Sequence, residues 1–331
     1  MPSICLFFFL YYFCGFRITA GYFEIGDVTA LIEYALLALY FLMMAQMVIL
    51  TLPRALECSN RIKEVINYKP SIENKSLGNV KENTNTEDVL SFKDVSFHFS
   101  DSHEDALKDL NFICKKGQTT AIVGGTGSGK STIASLIMRF NDVTSGAVSL
   151  NGIDVRNMPQ EQLRSHISFV QQRAWLFSGT IAKNLRYGNP KASDEDLYHA
   201  LSIAQSDSFV LALPDKINSF VAQGGTNFSG GQKQRLSIAR ALVKKPELYI
   251  FDDSFSALDF KTDSQLRKAL KNETKDSALV IIAQRISTII HADNIIVLDK
   301  GEQVAQGTHD ELLAICPIYK EIYDSQTKEI N

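Results

Sequence analysis

The 331-residue sequence contains no CxxC pair: its five cysteines, Cys5, Cys14, Cys58, Cys114 and Cys316, are scattered and odd in number. Thiolate metal sites need closely spaced ligands, so the pattern reads as reduced thiols in membrane and cytosol rather than a zinc site or a disulfide framework. A basic excess is also missing. Lys and Arg total 34 against 37 Asp and Glu, giving a formal net charge of −3 and a pI near 6.1. That leaves no electrostatic footprint for nucleic acid. The sequence has no internal repeats. Charge is scarce where it matters most: residues 1–52 are almost wholly apolar, an asymmetry hidden by the mean hydropathy of −0.04.

What is present begins with two apolar runs. Val28–Leu52 (VTALIEYALLALYFLMMAQMVILTL) makes roughly 38 Å of helix, enough to cross a ~30 Å hydrocarbon core. Ile4–Phe16 reaches only about 20 Å. A secretory signal is the other reading of that run. However, no positive residue precedes it, no small-x-small site follows, and a full span comes next. Residues 1–16 therefore read as the end of a spanning helix whose beginning is absent from the chain. Arg54, Arg61 and Lys63 follow the second run, which places everything downstream on the cytoplasmic side. Glu33 either lines a polar pathway through the membrane or sits at headgroup level.

Residues 69–88 are polar, with Pro, Gly, Asn and Glu and no apolar period, and read as a linker. Past them, short β-type runs alternate with helical stretches. Continuous apolar runs such as TTAIVG and LYIFDD suit strands of an α/β sheet covered on both faces. The organisation expected is a membrane segment over 1–68, with a partial helix at 1–16 and a full one at 28–52. The linker 69–88, an α/β domain over 89–326 and a tail at 327–331 follow.

The run Thr119–Val123 leads into Gly124-Gly125-Thr126-Gly127-Ser128-Gly129-Lys130-Ser131, with Thr132 opening a helical segment. This is the G-x-x-x-x-G-K-[ST] phosphate loop in its strand–loop–helix setting. Its glycines let backbone N–H groups converge on phosphate, and the helix start adds its positive end. Lys130 is expected to reach the β- and γ-phosphates of ATP, and Ser131 to ligate Mg²⁺. Kinases, GTPases and recombinases carry such loops too, so further motifs must choose the family.

Those motifs are FSGGQKQRLSIARAL, around Ser229, Gly230, Gly231 and Gln232, and LYIFDDSFSALD about a dozen residues on. Over Val89–Tyr323 the sequence resembles the ATP-binding domain of ABC transporters, and residues 17–68 resemble the end of an ABC exporter's membrane domain. The resemblance implies a P-loop NTPase fold: a mixed, largely parallel core sheet, an antiparallel β subdomain and an α-helical subdomain, preceded by transmembrane helices. It implies that Phe99 stacks on adenine in place of the usual Tyr. It makes Gln172 the glutamine that touches Mg²⁺ and couples to the membrane domain, with Gln171 the alternative. Asp252 becomes the carboxylate that holds Mg²⁺ through water, and Ser256–Asp259 a dimer-interface loop. Ser229, Gly230 and Gly231 would face the γ-phosphate of ATP held by a partner, in a head-to-tail dimer.

Two departures fall in one site. Asp253 stands where the family's hydrolytic members have Glu, and Gln284 where they have His. A shift of about an ångström in a positioned group costs on the order of 100-fold in rate, and Gln cannot carry a proton as His can. Ala222-Gln223 also replaces a common Gly-Glu. The resemblance is thus to the degenerate-site subunit of heterodimeric exporters, with Asp253, Gln284, Gln172 and Lys130 as its catalytic set and a second half-transporter as its partner; tolerated drift in a working ATPase is the competing reading. Membrane lipid and a transported small molecule, lipid or peptide complete the expected partners. The location expected is integral to the cell membrane, with the ATPase domain cytoplasmic. A regulatory module that holds ATP statically is the alternative, and a soluble DNA-repair or translation ATPase is disfavoured by the apolar runs.

Overall fold

The structure, a computed structural model, describes residues 2–22, 24–70, 72, 87–102 and 104–328. The chain divides into two compact units, residues 1–71 and 72–331. Most of the expected linker (residues 73–86) and the last three residues of the expected tail lie outside the described residues.

The first unit holds α1 (Pro2–Thr19) and α2 (Ile25–Asn67). Helix α2 starts at a capping box: the Glu24 backbone N–H donates to Asp27 Oδ2 at 3.0 Å, which satisfies a donor that a helix start otherwise leaves bare. By length and composition, Gly26–Asn67 is apolar enough to cross a membrane. The helix is longer than the apolar run Val28–Leu52. It continues through Pro53 to Asn67, although an interior proline removes one helical bond and costs about 3 kcal/mol. Good helix formers past the proline, with an Arg61–Glu57 pair at 3.1 Å one turn apart, support the extension. The expected end of α1 at residue 16 likewise moves to Thr19.

The second unit is built on one ten-stranded sheet. Its strands are β1 (Asp88–Phe97), β2 (Leu107–Lys115), β3 (Thr119–Gly124), β4 (Ser145–Leu150), β5 (Ile153–Asp154) and β6 (Ile167–Val170). After β7 (Gly179–Thr180) and β8 (Phe220–Val221), which form a separate ribbon, come β9 (Leu248–Asp252), β10 (Ala278–Ile282), β11 (Asn294–Asp299) and β12 (Glu302–Gly307). Their spatial order is β5-β4-β1-β2-β12-β11-β3-β10-β9-β6. The block β11-β3-β10-β9-β6 is parallel, and β5-β4-β1-β2 is antiparallel.

Successive residues of each central strand enter opposite core layers, as the two-residue repeat of a strand requires. In β9, Tyr249 and Phe251 join one layer while Leu248 and Ile250 join the other. In β10, Leu279 and Ile281 alternate in the same way with Ala278, Val280 and Ile282. Burial on both faces is why these strands read as unbroken apolar runs. Each such fully buried aliphatic side chain contributes about 1.5–3 kcal/mol.

The helices are α3 (Lys130–Ile137), α4 (Gln160–Ser165), α5 (Ile181–Arg186), α6 (Asp194–Ile203), α7 (Asp207–Leu211), α8 (Gly230–Val243), α9 (Phe260–Glu273), α10 (Ile286–Ile289), α11 (His309–Ile315) and α12 (Pro317–Lys328). Helices α5 and α6 pack on α8 to form the helical part. The fold is therefore mixed α/β with an antiparallel wing, as expected. Its parallel strands end together, which gathers their following loops at one edge.

Candidate functional site

The loop Gly124–Ser131 leaves β3 at that edge and turns into α3. Two glycines are forced by packing. Gly129 has φ +92°, and a Cβ there would lie 2.8 Å from the Ala106 carbonyl oxygen. A Cβ on Gly124 would meet the Leu298 carbonyl and lie 2.6 Å from Ser128 Oγ. By contrast, a Cβ on Gly125 or Gly127 would meet nothing within 4 Å, so the loop is open where an anion would approach. Among the described residues, the N–H groups of Thr126, Gly127 and Gly129 take no backbone acceptor. Lys130 curls into the loop, donating from Nζ to Gly124 O at 2.8 Å and Gly125 O at 2.6 Å. Burial lowers its pKa, opposed by the charges of Asp252 and Asp253.

Strand register brings the acids to the same place. Ile282 of β10 pairs with Ile122 of β3 on one side and Asp252 of β9 on the other. The Ser131 hydroxyl lies near enough to the Asp252 carboxylate to favour its ionised form. Burial raises the Asp252 pKa and the nearby Asp253 adds to this, while Ser131 and Lys130 oppose it. Beyond the strand, Asp253 adopts a left-handed φ of 45°, uncommon for a residue with a Cβ but tolerated by Asp. Its N–H donates to Ile282 O at 2.8 Å. The buried Ser254 hydroxyl fixes the turn by donating to Val170 O at 3.0 Å.

Val170 of β6 pairs with Phe251 of β9, so Gln172 and Asp253 each lie two residues past a shared rung. Gln172 Nε2 donates to Asp253 Oδ2 at 3.0 Å. Burial raises the Asp253 pKa, against the hydrogen bonds of Gln172 and Ser256 and the charges of Arg285 and Lys130. Gln171, the alternative to Gln172, accepts through its backbone oxygen from Gln234 at 3.3 Å. The next residues tie this loop to the helical part: Gly224 N donates to Leu176 O at 2.9 Å, and the Trp175 ring packs against Gly224.

Ser229 caps α8. Its Oγ accepts from Gln232 N at 3.3 Å while Gln232 Oε1 accepts from Ser229 N at 2.9 Å, a reciprocal capping box. The Gln232 side chain is thus committed to the helix start. Gly230 faces open space, whereas Gly231 lies against Ala257 of the Ser256–Asp259 loop. Asp259 caps α9, accepting from Thr262 N at 3.0 Å. Phe99, part-exposed, stands edge-on to Phe97 with centroids 4.8 Å apart. It reaches the loop region indirectly, since Ala106 N donates to Phe97 O at 2.8 Å and Ala106 adjoins Gly129. Thr132 is part-buried in the first turn of α3.

Gln284 is exposed two residues beyond β10. Arg285 and Gln326, which the sequence motifs did not single out, also belong to this edge. Arg285 places a cation near Asp253, and Gln326 donates to Gln284 O at 2.7 Å.

A magnesium–triphosphate fits these groups. Mg²⁺ takes oxygen ligands and is usually held by one or two carboxylates plus substrate phosphates, and Ser131, Asp252 and Gln172 offer oxygens. Among the described residues, no group of three or more His, Cys, Asp or Glu could hold a metal.

A glycine loop with an inward lysine after β3, facing acids at the end of the parallel strand β9 two places away, defines a P-loop nucleotide-binding protein. Residues 107–256 match the model of the ABC transporter family. An uncharacterized ABC transporter ATP-binding protein of Mycobacterium bovis is 43% identical over 96% of this chain and 55% of its own length. A Staphylococcus aureus protein named for multidrug export, an ATP-binding/permease protein, is 42% identical over 70% of this chain and 40% of its own length. The solved structure of a bacterial Atm1-family ABC exporter with ATP bound superposes with a TM-score of 0.82. It is 32% identical, covering 92% of this chain and 53% of that one. This chain carries an ABC transporter ATP-binding domain. It spans about half the length of the curated relatives it matches.

Proposed function

We propose that this chain is the ATP-binding subunit of an ABC exporter with a hydrolytically slow site of its own. Lys130 and the N–H groups of Gly125–Gly129 bind the phosphates, and Phe99 stacks on the base. Ser131, Asp252 and Gln172 hold Mg²⁺, which when bound neutralises charge developing on the β- and γ-phosphates. Ser229, Gly230 and Gly231 present a helix start to the nucleotide of a second half-transporter, paired head-to-tail. Closure of that pair on ATP, and reopening after hydrolysis at the partner's site, drives alternating access across the membrane. Helix α2 spans that membrane, and the basic residues after its apolar part put the ATP-binding domain in the cytoplasm.

The observation that carries the slow-site reading is Asp253 and its contacts. A base that aligns water must reach it, and Asp is one methylene shorter than the family's Glu. Its carboxylate is already engaged by Gln172 at 3.0 Å. Gln284, exposed at the switch position where the family's hydrolytic members have His, can donate a hydrogen bond to the γ-phosphate but cannot become a cation. A misplacement of about 1 Å, on the order of 100-fold in rate, corresponds to about 2.7 kcal/mol in barrier. Relatives named for export and the exporter-like structure support the direction of transport.

The test compares ATP hydrolysis by the chain alone, by Asp253→Glu with Gln284→His, and by the chain mixed with a candidate partner. Low turnover alone, a large gain in the double variant and stimulation by the partner are expected. Equal rates for the unmodified chain and the double variant overturn the slow site. Tight ATP binding with no turnover in any arm favours the static regulatory module.

A further inference from the structure

We infer that Gln326, on the last helix, is a positioning residue that sets the backbone of the switch position Gln284. The inference rests on the proposed function in assigning Gln284 to the γ-phosphate. Its physical basis is a pair of hydrogen bonds made by one carboxamide. Gln326 Nε2 donates to Gln284 O at 2.7 Å, and Gln326 Oε1 accepts from Ile286 N at 2.8 Å. A carbonyl needs a donor and an N–H needs an acceptor, so only one orientation of the amide serves both.

Local sequence leaves that segment in need of such a contact. Strand β10 ends at Ile282, and Ala283 is the last residue held by the sheet, donating to Ile122 O at 3.0 Å. Helix α10 starts at Ile286 with Arg285 at its N-cap, which supplies no side-chain capping bond. The first N–H groups of a helix have no partner within it, and Ser, Thr, Asp or Asn would ordinarily supply one. Gln326 does so from 40 residues downstream. It is a tertiary cap.

The helix bearing Gln326 is itself anchored. Tyr319 is fully buried, and its hydroxyl bonds His309 Nδ1 at 2.8 Å. Ile322 and Tyr323 pack against the same core. Positions 319, 322, 323 and 326 recur at the spacing of one helical face, so the buried tyrosine fixes where the carboxamide stands. The sheet then holds Gln284 on one side and Gln326 holds it on the other. Its side chain is left to move by its own torsions, on a backbone that cannot drift.

The experiment uses the full chain in lipid vesicles, in its natural sequence and with Asp253→Glu plus Gln284→His. Each is compared with and without Gln326→Met, which keeps length and apolar bulk but makes neither bond. Turnover, Mg²⁺·ATP affinity, melting temperature and amide hydrogen exchange at Ile286 are measured. In the repaired chain Gln326→Met is expected to lower kcat about 10- to 100-fold, with ATP affinity within about two-fold and Ile286 exchange accelerated. Gln326→Glu should keep Ile286 protected yet lose turnover, because it cannot donate to Gln284 O. Unchanged kcat in Gln326→Met, or parallel losses of kcat, affinity and melting temperature, overturns the inference. If the repaired chain does not turn over at all, the proposed function fails by itself. Ile286 exchange then decides the clamp: equal rates with and without Gln326→Met overturn it, and faster exchange in the variant upholds it.

Discussion

The carboxamide of Gln172 donates to Asp253 Oδ2 at 3.0 Å and so joins the end of β6 to the end of β9. The bond favours the ionised form of a carboxylate that burial pushes toward protonation. Gln172→Ala removes it. A lost supporting contact around a metal site typically costs 10- to 100-fold in metal affinity. Nucleotide binding by the variant should therefore need about ten-fold more Mg²⁺, read by titrating Mg²⁺ against a fluorescent ATP analogue. An unchanged Mg²⁺ midpoint would remove Gln172 from the site.

The acids also set a pH dependence with two opposite signs. Asp252 has a folded-state pKa above its ordinary 3.8, raised chiefly by burial. The folded chain thus holds that proton more tightly than the unfolded chain does. Stability of the free protein should fall as pH rises from the ordinary carboxylate value through the raised one. Mg²⁺·ATP affinity needs the carboxylate ionised, so it should rise over that same window. Asp252→Asn should flatten both profiles and lose most of the Mg²⁺ dependence. Melting curves and ATP titrations across an acid series check this; matching slopes in the variant and the natural chain would contradict it.

Much of this site was legible because its chemistry is local. The phosphate loop needs glycines, a lysine and a serine within a few residues, and LYIFDD carries strand and acid together. Central strands announced themselves by burial on both faces. What was not legible is long-range or against local preference. The apolar run ends at Leu52, yet α2 runs on through Pro53 to Asn67. The two-residue strands β5, β7 and β8 are too short to show a period. Gln326 lies far from any motif, and nothing in its neighbours points to Gln284. Ser229-x-x-Gln232 carries two signals at once, a capping box and a nucleotide-facing helix start, and the spacing alone does not separate them.

Gly129→Ala should be among the most damaging small changes. The added methyl meets Ala106 O at 2.8 Å and Leu107 in a backbone with φ +92°. Forced strain of this kind costs on the order of 1–3 kcal/mol and displaces the loop from its strand. Gly125→Ala meets nothing within 4 Å inside the protein, so it should leave the melting temperature nearly unchanged while weakening ATP binding. The pair separates a packing glycine from a ligand-facing one. Equal melting temperatures for the two variants would refute the distinction.

A largely buried polar contact joins α9 to α10. Asp263 and Arg267 pair at 2.9 Å, both largely buried. Arg267 Nη1 also donates to Ser287 O at 3.0 Å and Thr288 O at 2.9 Å. The pair is incompletely satisfied, since Asp263 Oδ1 and Arg267 Nε are buried with no partner among the described residues. Burial raises the Asp263 pKa even beside Arg267, so desolvation outweighs the attraction for this carboxylate. Removing one member strands the other charge, and Asp263→Ala should cost about 3–5 kcal/mol. Replacing both with apolar residues of similar volume, Asp263→Leu with Arg267→Met, should cost far less than the single change and can be neutral. Thermal unfolding of the three proteins at one pH decides it. If the double variant is less stable than Asp263→Ala alone, the pair is a net stabilising contact and the dominance of desolvation is wrong.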